Sequence, residues 1–489
     1  MKKILSIVII FSFIFSSIAP AFAADATWNG TTDSLWDSAT NWSNPAWPVT
    51  TNTATFNNAG NTHTTVDIDS VTGAAVKSIV FDTGAAAYVI GDGIHADTLT
   101  LDNLGVIEMT TGVLNNQTFN ANIVLSSTPG IPGGAAFENF SSAKTLIFNG
   151  TVNSDGITPQ DLTVAATTGN VEFNGAVGTI NSLANLDIVN GRNITAAAIT
   201  AETITQDDGI GTTTLNGAVN TSAAGGVNLT TKTIDINNSV TTIRGLVDLN
   251  ATTAVTLDGG NITTTAGVNT GTTSGAIAID VSGTGTVALA GSLDTTGAAN
   301  STGAGSIGGA VTVNTAGGVM AVDNITTTGG AGTGFDGGAA GLITLNTGGQ
   351  MITLNGDLSA IGGASDTATG GAGATVTISD PATLGAAVRI DTSGGVGNGG
   401  VANGVAGNID FQGTLNGTQI LNLDASGSTD GDIHFHGIVG GTPLGAVTID
   451  NAKDVTAFDG RQLHAGRRNR HDNVQWFRGL LRRVCIHGR

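Results

Sequence analysis

Residues 323–358 read DNITTTGGAGTGFDGGAAGLITLNTGGQMITLNGDL, and the spacing of two of them decides the fold. Ile325 and Leu358 open the same short pattern, an apolar β-former followed by small polar residues. Outward from this stretch the pattern recurs at Ile262 (GNITTT), Leu293 (GSLDTT), Ile390 (VRIDTS) and Leu423 (LNLDAS), so the successive steps are 31, 32, 33, 32 and 33. A second series in another phase runs Ile277, Val311, Ile343, Val376 and Ile409, with steps of 34, 32, 33 and 33. Two markers keeping step over several units indicate stacked supersecondary units, a quasi-one-dimensional solenoid rather than a globule.

A shorter motif shows what one unit is. It occurs as LIFNGTV (146–152), VEFNGAV (171–177), TTLNGAV (213–219), IDFQGTL (409–415) and IHFHGIV (433–439). The first pair lies 25 residues apart and the last pair 24, a length suited to one coil of a parallel β-helix. The 32-residue units then read as the same coil with a longer Gly-rich loop, as in GGAGTGFDGGAAG (329–341) and GGASDTATGGAGA (362–374). Such insertions fall on one face of a solenoid, often the binding face. Val, Ile and Thr alternate with small residues, which suits pleated strands, and no segment carries a convincing helical period. Val311 with Val313, and Ile343 with Leu345, are expected to point inward and stack on their equivalents one coil away. The fold class is therefore all-β: a parallel β-helix (β-solenoid), expected to be right-handed, with a Trp-rich N-terminal cap.

Composition agrees. Glycine supplies 73 of 489 residues, hydrophobic residues make up 40% and charged residues only 11%, so charge-driven disorder is disfavoured. The net charge of −20 divides unevenly. Between residues 4 and 460 stand seven basic residues against 36 acids, about −29, a surface that repels nucleic acid and anionic lipid. Of the 37 acids 33 are Asp, which fits turns whose side chains bond their own backbone; calcium binding is the competing use.

Along the chain, residues 1–23 read as an export signal: Lys2 and Lys3, an apolar run from Ile4 to Phe15, and Ala21-Phe22-Ala23 as the small-residue cleavage pattern. No later segment has 18 apolar residues, so no transmembrane segment is expected in the mature chain. The sole cysteine, Cys485, cannot form an intramolecular disulfide. Residues 24–58 form the Trp-rich cap, 59–140 irregular first coils, and 141–455 the repetitive solenoid.

Four of the five Trp stand in ATWNGTTDSLWDSATNWSNPAWP (26–48): Trp28, Trp36, Trp42 and Trp47. A solenoid end exposes an unfinished core that large rings can cover, so capping is preferred over a sugar-stacking platform. Trp28 with Gly30, Ser34 with Trp36, Asn41-Trp42 and the short strand Ala54-Thr55-Phe56 resemble the start of exported β-solenoid proteins with autotransporter-associated β-strand repeats. That motif covers about 35 residues. The Gly/Thr/Asn-rich repeats over most of 140–455 are similar, by composition and period, to the passengers of filamentous-haemagglutinin-like adhesins. The resemblance implies a surface or secreted protein whose ligands would be host, surface or polysaccharide structures.

The search for chemistry returns little. Parallel β-helices include pectin-degrading enzymes, and Asp207-Asp208 offers paired carboxylates. The G-H-G and R-I-K companions of such sites are absent; the nearest are His436-Gly437 and Arg389-Ile390-Asp391. His434 and His436 sit two apart on one strand face and, with Asp430 and Asp432, could hold a transition metal, but two solvent-facing polar groups is the preferred reading. GGAGTGFDG places Asp336 out of phase with a calcium repeat. Accordingly no catalytic, cofactor-binding or metal residue is assigned, and no cofactor is expected. The reading is a non-enzymatic exported structural or adhesin-type solenoid of a Gram-negative-type bacterium; a secreted polysaccharide-active β-helix enzyme is the alternative.

Residues 461–489 break the pattern, with eight Arg, three His, Cys485 and Trp476 in 29 positions. Codons shifted by one base from Arg468 to Phe477 permit a strand-and-turn sequence such as VTVTITSNGS. The tail is therefore read as a frameshift product that packs poorly, and the chain as a truncated piece of a longer surface repeat protein. A native basic tail for an anionic partner is the other reading.

Overall fold

The computed structural model describes residues 25–457, apart from 45–46, 69–73, 95–96, 128–132 and 399, together with the short strands Gln462–His464 and Val484–Ile486. Residues 1–23, read above as an export signal, and nearly all of the basic tail lie outside the described residues. What is described is strand and turn, with two single-turn 3₁₀ segments, Ala39–Asn41 and Asn58–Gly60. Among the described residues no helix is long and apolar enough to cross a membrane.

The chain winds as a parallel β-solenoid. In each coil it crosses three walls, as with Val311–Thr315, Met320–Val322 and Ile325–Thr326, and the next coil repeats them as Ile343–Asn346, Ile352–Leu354 and Leu358–Ser359. Among the described strands every pairing joins successive coils in parallel, except that Gln462–His464 runs antiparallel to Asp454–Thr456. Val484–Ile486 rejoins the parallel pattern, with Val447 opposite Val484 and Ile449 opposite Ile486.

Both sequence series are columns of direct partners. Ile262 faces Leu293, then Ile325, Leu358, Ile390 and Leu423 in turn. Ile277 faces Val311, then Ile343, Val376 and Ile409. Their side chains are buried, as are those of Val313 and Leu345. The physical reason is the pleat: a residue two places along returns to the same face, and parallel pairing places like on like.

The first column continues past the region of equal spacing. Upstream of Ile262 it runs through Val240, Val219, Ile199, Val177, Val152, Ile123 and Leu99 to Ala74. There the steps range from 20 to 29 residues, because turns of different length join the same walls. A column in another wall runs from Ala26 and Ala54 through Ile79, Ile107, Phe137, Val164, Ile188, Gln206, Leu229 and Leu249 to Ile279 and on to Phe435. Fifteen steps between neighbouring rungs, at about 4.8 Å each, give a rod of about 70 Å.

At its N-terminal end the rod is closed by aromatic rings. Trp28 and Trp42 meet edge to face at 5.1 Å, Trp36 and Trp42 at 4.9 Å, and all three lie 5.9–6.2 Å from Phe56. The Trp28 indole N–H donates to the His63 carbonyl and that of Trp42 to the Trp36 carbonyl. Below Phe56 the rings continue through Phe81, Phe119, Phe148 and Phe173. Such rings bury large apolar areas, and edge-to-face pairs add about 0.5–1.5 kcal/mol each. Because Trp28, Trp36 and Trp42 are buried, their faces serve packing; Trp47 alone of the four is exposed.

Candidate functional site

The Gly-rich insertions leave the wall that carries Ile325 and Leu358 and return at the wall that carries Ile343. They are hydrogen-bonded throughout. Gly338 donates to Gly330, Gly363 to Gly338, Gly371 to Gly363, Gly395 to Gly371 and Gly404 to Gly395, all at 2.7–2.8 Å, so one chain of bonds zigzags between outgoing and returning arms across successive coils. Other amides bond straight to the next coil, as Gly329 to Ile361 and Gly337 to Thr369. Bonds leaving in several directions need backbones in close approach, and a Cβ on Gly363 or Gly371 would fall under 3.0 Å from the neighbouring carbonyl. The composition thus builds a stacked fin, where flexible loops would have served equally well as far as composition alone could tell.

Each fin is pinned at its neck. The hydroxyls of Thr295, Thr327 and Thr392 donate to the carbonyls of Gly309, Gly341 and Gly407 at 2.6, 2.6 and 2.9 Å. The amides of Gly309, Gly341 and Gly407 also bond the carbonyls of these threonines; Ala360 takes the threonine's place in one coil, where only that backbone bond remains, from the Ala374 amide. Asp336, the candidate calcium ligand, accepts the Thr369 amide of the next insertion at 3.0 Å. Much of the Asp surface does turn work: Asp33, Asp155, Asp294, Asp391 and Asp424 each accept the amide two residues on.

The residues of the hydrolytic alternative are not brought together. Asp207 and Asp208 are exposed at the end of Ile199–Gly209. Arg389 and His436 lie six to eight rungs further along the rod, about 30–40 Å away at 4.8 Å per rung. Arg389 is engaged elsewhere: its guanidinium bridges Asp391 at 2.7 Å and Asp424 at 2.9 Å, and reaches Asp450 at 3.7 Å. Burial works against its charge, but the hydrogen bond it donates to Asp391 and the three carboxylates outweigh this and hold its pKa above the usual arginine value.

A different grouping forms where two coils meet. Asp410 is the direct partner of His434, and His436 Nε2 stands 2.9 Å from Asp410 Oδ1. One ligand atom from each of Asp410, His434 and His436 lies within 4.8 Å of the others. The two imidazoles share a face as their spacing predicts, but the carboxylate beside them belongs to the preceding coil. Asp430 accepts the Gly427 amide, and Asp432 faces Lys453 at 3.8 Å. Asp410 Oδ2 accepts from the Gln412 side chain at 3.0 Å. Aligning IDFQG (409–413) with IHFHG (433–437) would have found this set, since the alignment puts Asp410 over His434 and Gln412 over His436. A second grouping, Asp67, Asp92 and Asp97, is purely acidic, and Asp97 Oδ2 accepts the Asp92 amide.

No protein-family model, curated protein or solved structure matches the chain.

Proposed function

We propose that this chain is an exported, non-enzymatic β-solenoid that serves as a stalk or adhesin-type passenger at the cell surface or outside a Gram-negative-type bacterium, as part of a larger surface repeat protein. The observation that carries the reading is the unbroken column from Ala74 to Ile449, which makes the described chain a stiff rod. A rod displays whatever its faces and fins carry at a fixed distance, and its function is geometric. The acidic body and the export-type residues 1–23 support the same reading. Host, surface or polysaccharide structures are the ligands such a rod would meet.

The test uses antibody against residues 141–455 on intact cells and on culture medium of the source bacterium. Labelling of intact cells or recovery from the medium is the expected result; retention in the cytoplasm overturns the proposal. Cleavage of polygalacturonate by the purified protein, abolished by Asp207→Asn with Asp208→Asn, would establish the enzymatic alternative instead.

A further inference from the structure

We propose that Asp410, His434 and His436 form a binding site for a divalent transition-metal ion of the zinc type, one that clips two successive coils together. Two imidazoles and a carboxylate are a donor set for such ions, whereas calcium and magnesium call for oxygen ligands throughout. The spacing suits it. Ligands held 2.0–2.2 Å from a tetrahedral ion stand roughly 3.3–3.6 Å apart. The 2.9 Å approach of His436 to Asp410 and the 4.8 Å limit on the whole set bracket that distance.

The backbone beneath the three groups is fixed. Ile409–Phe411 and Ile433–Phe435 pair in register, and on the inner face Phe411 and Phe435 stack with centroids 5.3 Å apart and planes within 9° of parallel. Small rotations of the imidazoles about their own bonds would therefore complete the site without moving either strand. Gln412 holds one carboxylate oxygen, as outer-shell partners of metal ligands do. The other, Asp410 Oδ1, is buried and accepts no hydrogen bond. His436 lies at ion-pair distance from it, but the approach lacks the direction of a hydrogen bond. A buried carboxylate oxygen without a hydrogen-bond donor is costly, and a cation shared with two imidazoles supplies what it lacks.

Three protein ligands leave a fourth position open to water or to a side chain of a partner. Because Asp410 and His434 belong to different coils, an ion bound to both favours the folded stack over the unwound chain and raises stability by mass action.

The experiment titrates the purified chain with Zn²⁺ alone, in the presence of excess Ca²⁺, and compares it with His434→Ala, His436→Ala and Asp410→Asn. The remaining histidines and Cys485 also offer ligands, so the readout is the difference between wild type and each variant. The expected result is one Zn²⁺ fewer per chain, or affinity at that site lowered at least tenfold, in each variant. Zn²⁺ should raise the melting temperature of the wild type and leave that of the His434→Ala chain unmoved. The substituted side chains are on the outer face, and unchanged circular dichroism without metal verifies the fold. Co²⁺ gives a second readout, a visible absorption band of a nitrogen-ligated site, lost in His436→Ala. Equal Zn²⁺ binding by wild type and all three variants, or displacement by Ca²⁺, overturns the proposal and leaves only a His–Asp ion pair.

Discussion

Gly363 lies directly over Gly330: a Cβ on Gly363 would fall under 3.0 Å from the Gly330 carbonyl oxygen. The same relation links Gly371 to Gly338, Gly395 to Gly363 and Gly404 to Gly371, so the fin's outgoing and returning arms are each stacked on their own copies. Glycine is required there by the nearness of the neighbouring backbone.

Gly363→Ala is therefore expected to destabilise the protein by about 1–3 kcal/mol, the cost of overpacking a close-packed site. Gly303→Ala is the control, because a Cβ there meets only Asn300 Nδ2, at 3.3 Å. Urea unfolding of both variants measures the difference. Equal stability of the two would show that the arms are free to part.

The neck hydroxyls make a second prediction. Thr327→Val keeps the shape but removes the donor to the Gly341 carbonyl, and should cost about 1 kcal/mol. Hydrogen exchange should quicken at Gly341, whose amide bonds the Thr327 carbonyl, and not at the equivalent Ala374, where Ala360 already lacks a hydroxyl.

Glu108 and Glu138 are direct partners on neighbouring strands. Burial, then Glu138, then Asp82 push the Glu108 pKa above its usual value. The protonated form is thus favoured by folding: this contribution is present below the usual glutamate range and lost as pH rises through the raised pKa. Glu138→Lys should replace repulsion with attraction and stabilise the protein by roughly 0.5 kcal/mol at neutral pH, with a weaker dependence on mildly acidic pH. Chemical denaturation at several pH values checks both.

Tyr88, the single tyrosine, donates to the Asn57 carbonyl at 2.8 Å, and burial pushes its pKa up to about 12. An unfolded tyrosine titrates near 10. The stability this group contributes is intact below pH about 10 and lost progressively as pH rises toward 12. Tyrosinate absorbance should accordingly appear well above the ordinary tyrosine range while the chain stays folded. Tyr88→Phe should remove this part of the alkaline sensitivity. A midpoint near 10 in the folded protein contradicts the burial.

The parallel solenoid, its two C-terminal columns and the inward face of each strand were legible in the sequence from Ile262 to Leu423, because insertions of nearly equal length keep the spacing constant there. The continuation of that column to Ala74 was not legible, since Val152, Val177 and Ile199 are separated by 25 and 22 residues and no fixed period marks them. Parallel pairing tolerates unequal turns as long as each strand re-enters its wall in register. The pairing of the two imidazoles was legible from their spacing, but their carboxylate was sought in the adjacent turn.

Alternation and period, then, determined by themselves that the chain coils, which residues face inward and that aromatic rings gather at its start: burial of an alternating face and repetition of a unit are properties of order along the chain. Only the tertiary structure decided that Asp410 stands beside His434 and His436, that Arg389 gathers Asp391, Asp424 and Asp450, and that the glycines of successive insertions pack backbone on backbone. Those contacts join residues of different coils. Which ones meet depends on the register in which one coil settles on the next, and that register is set by stacking the buried columns.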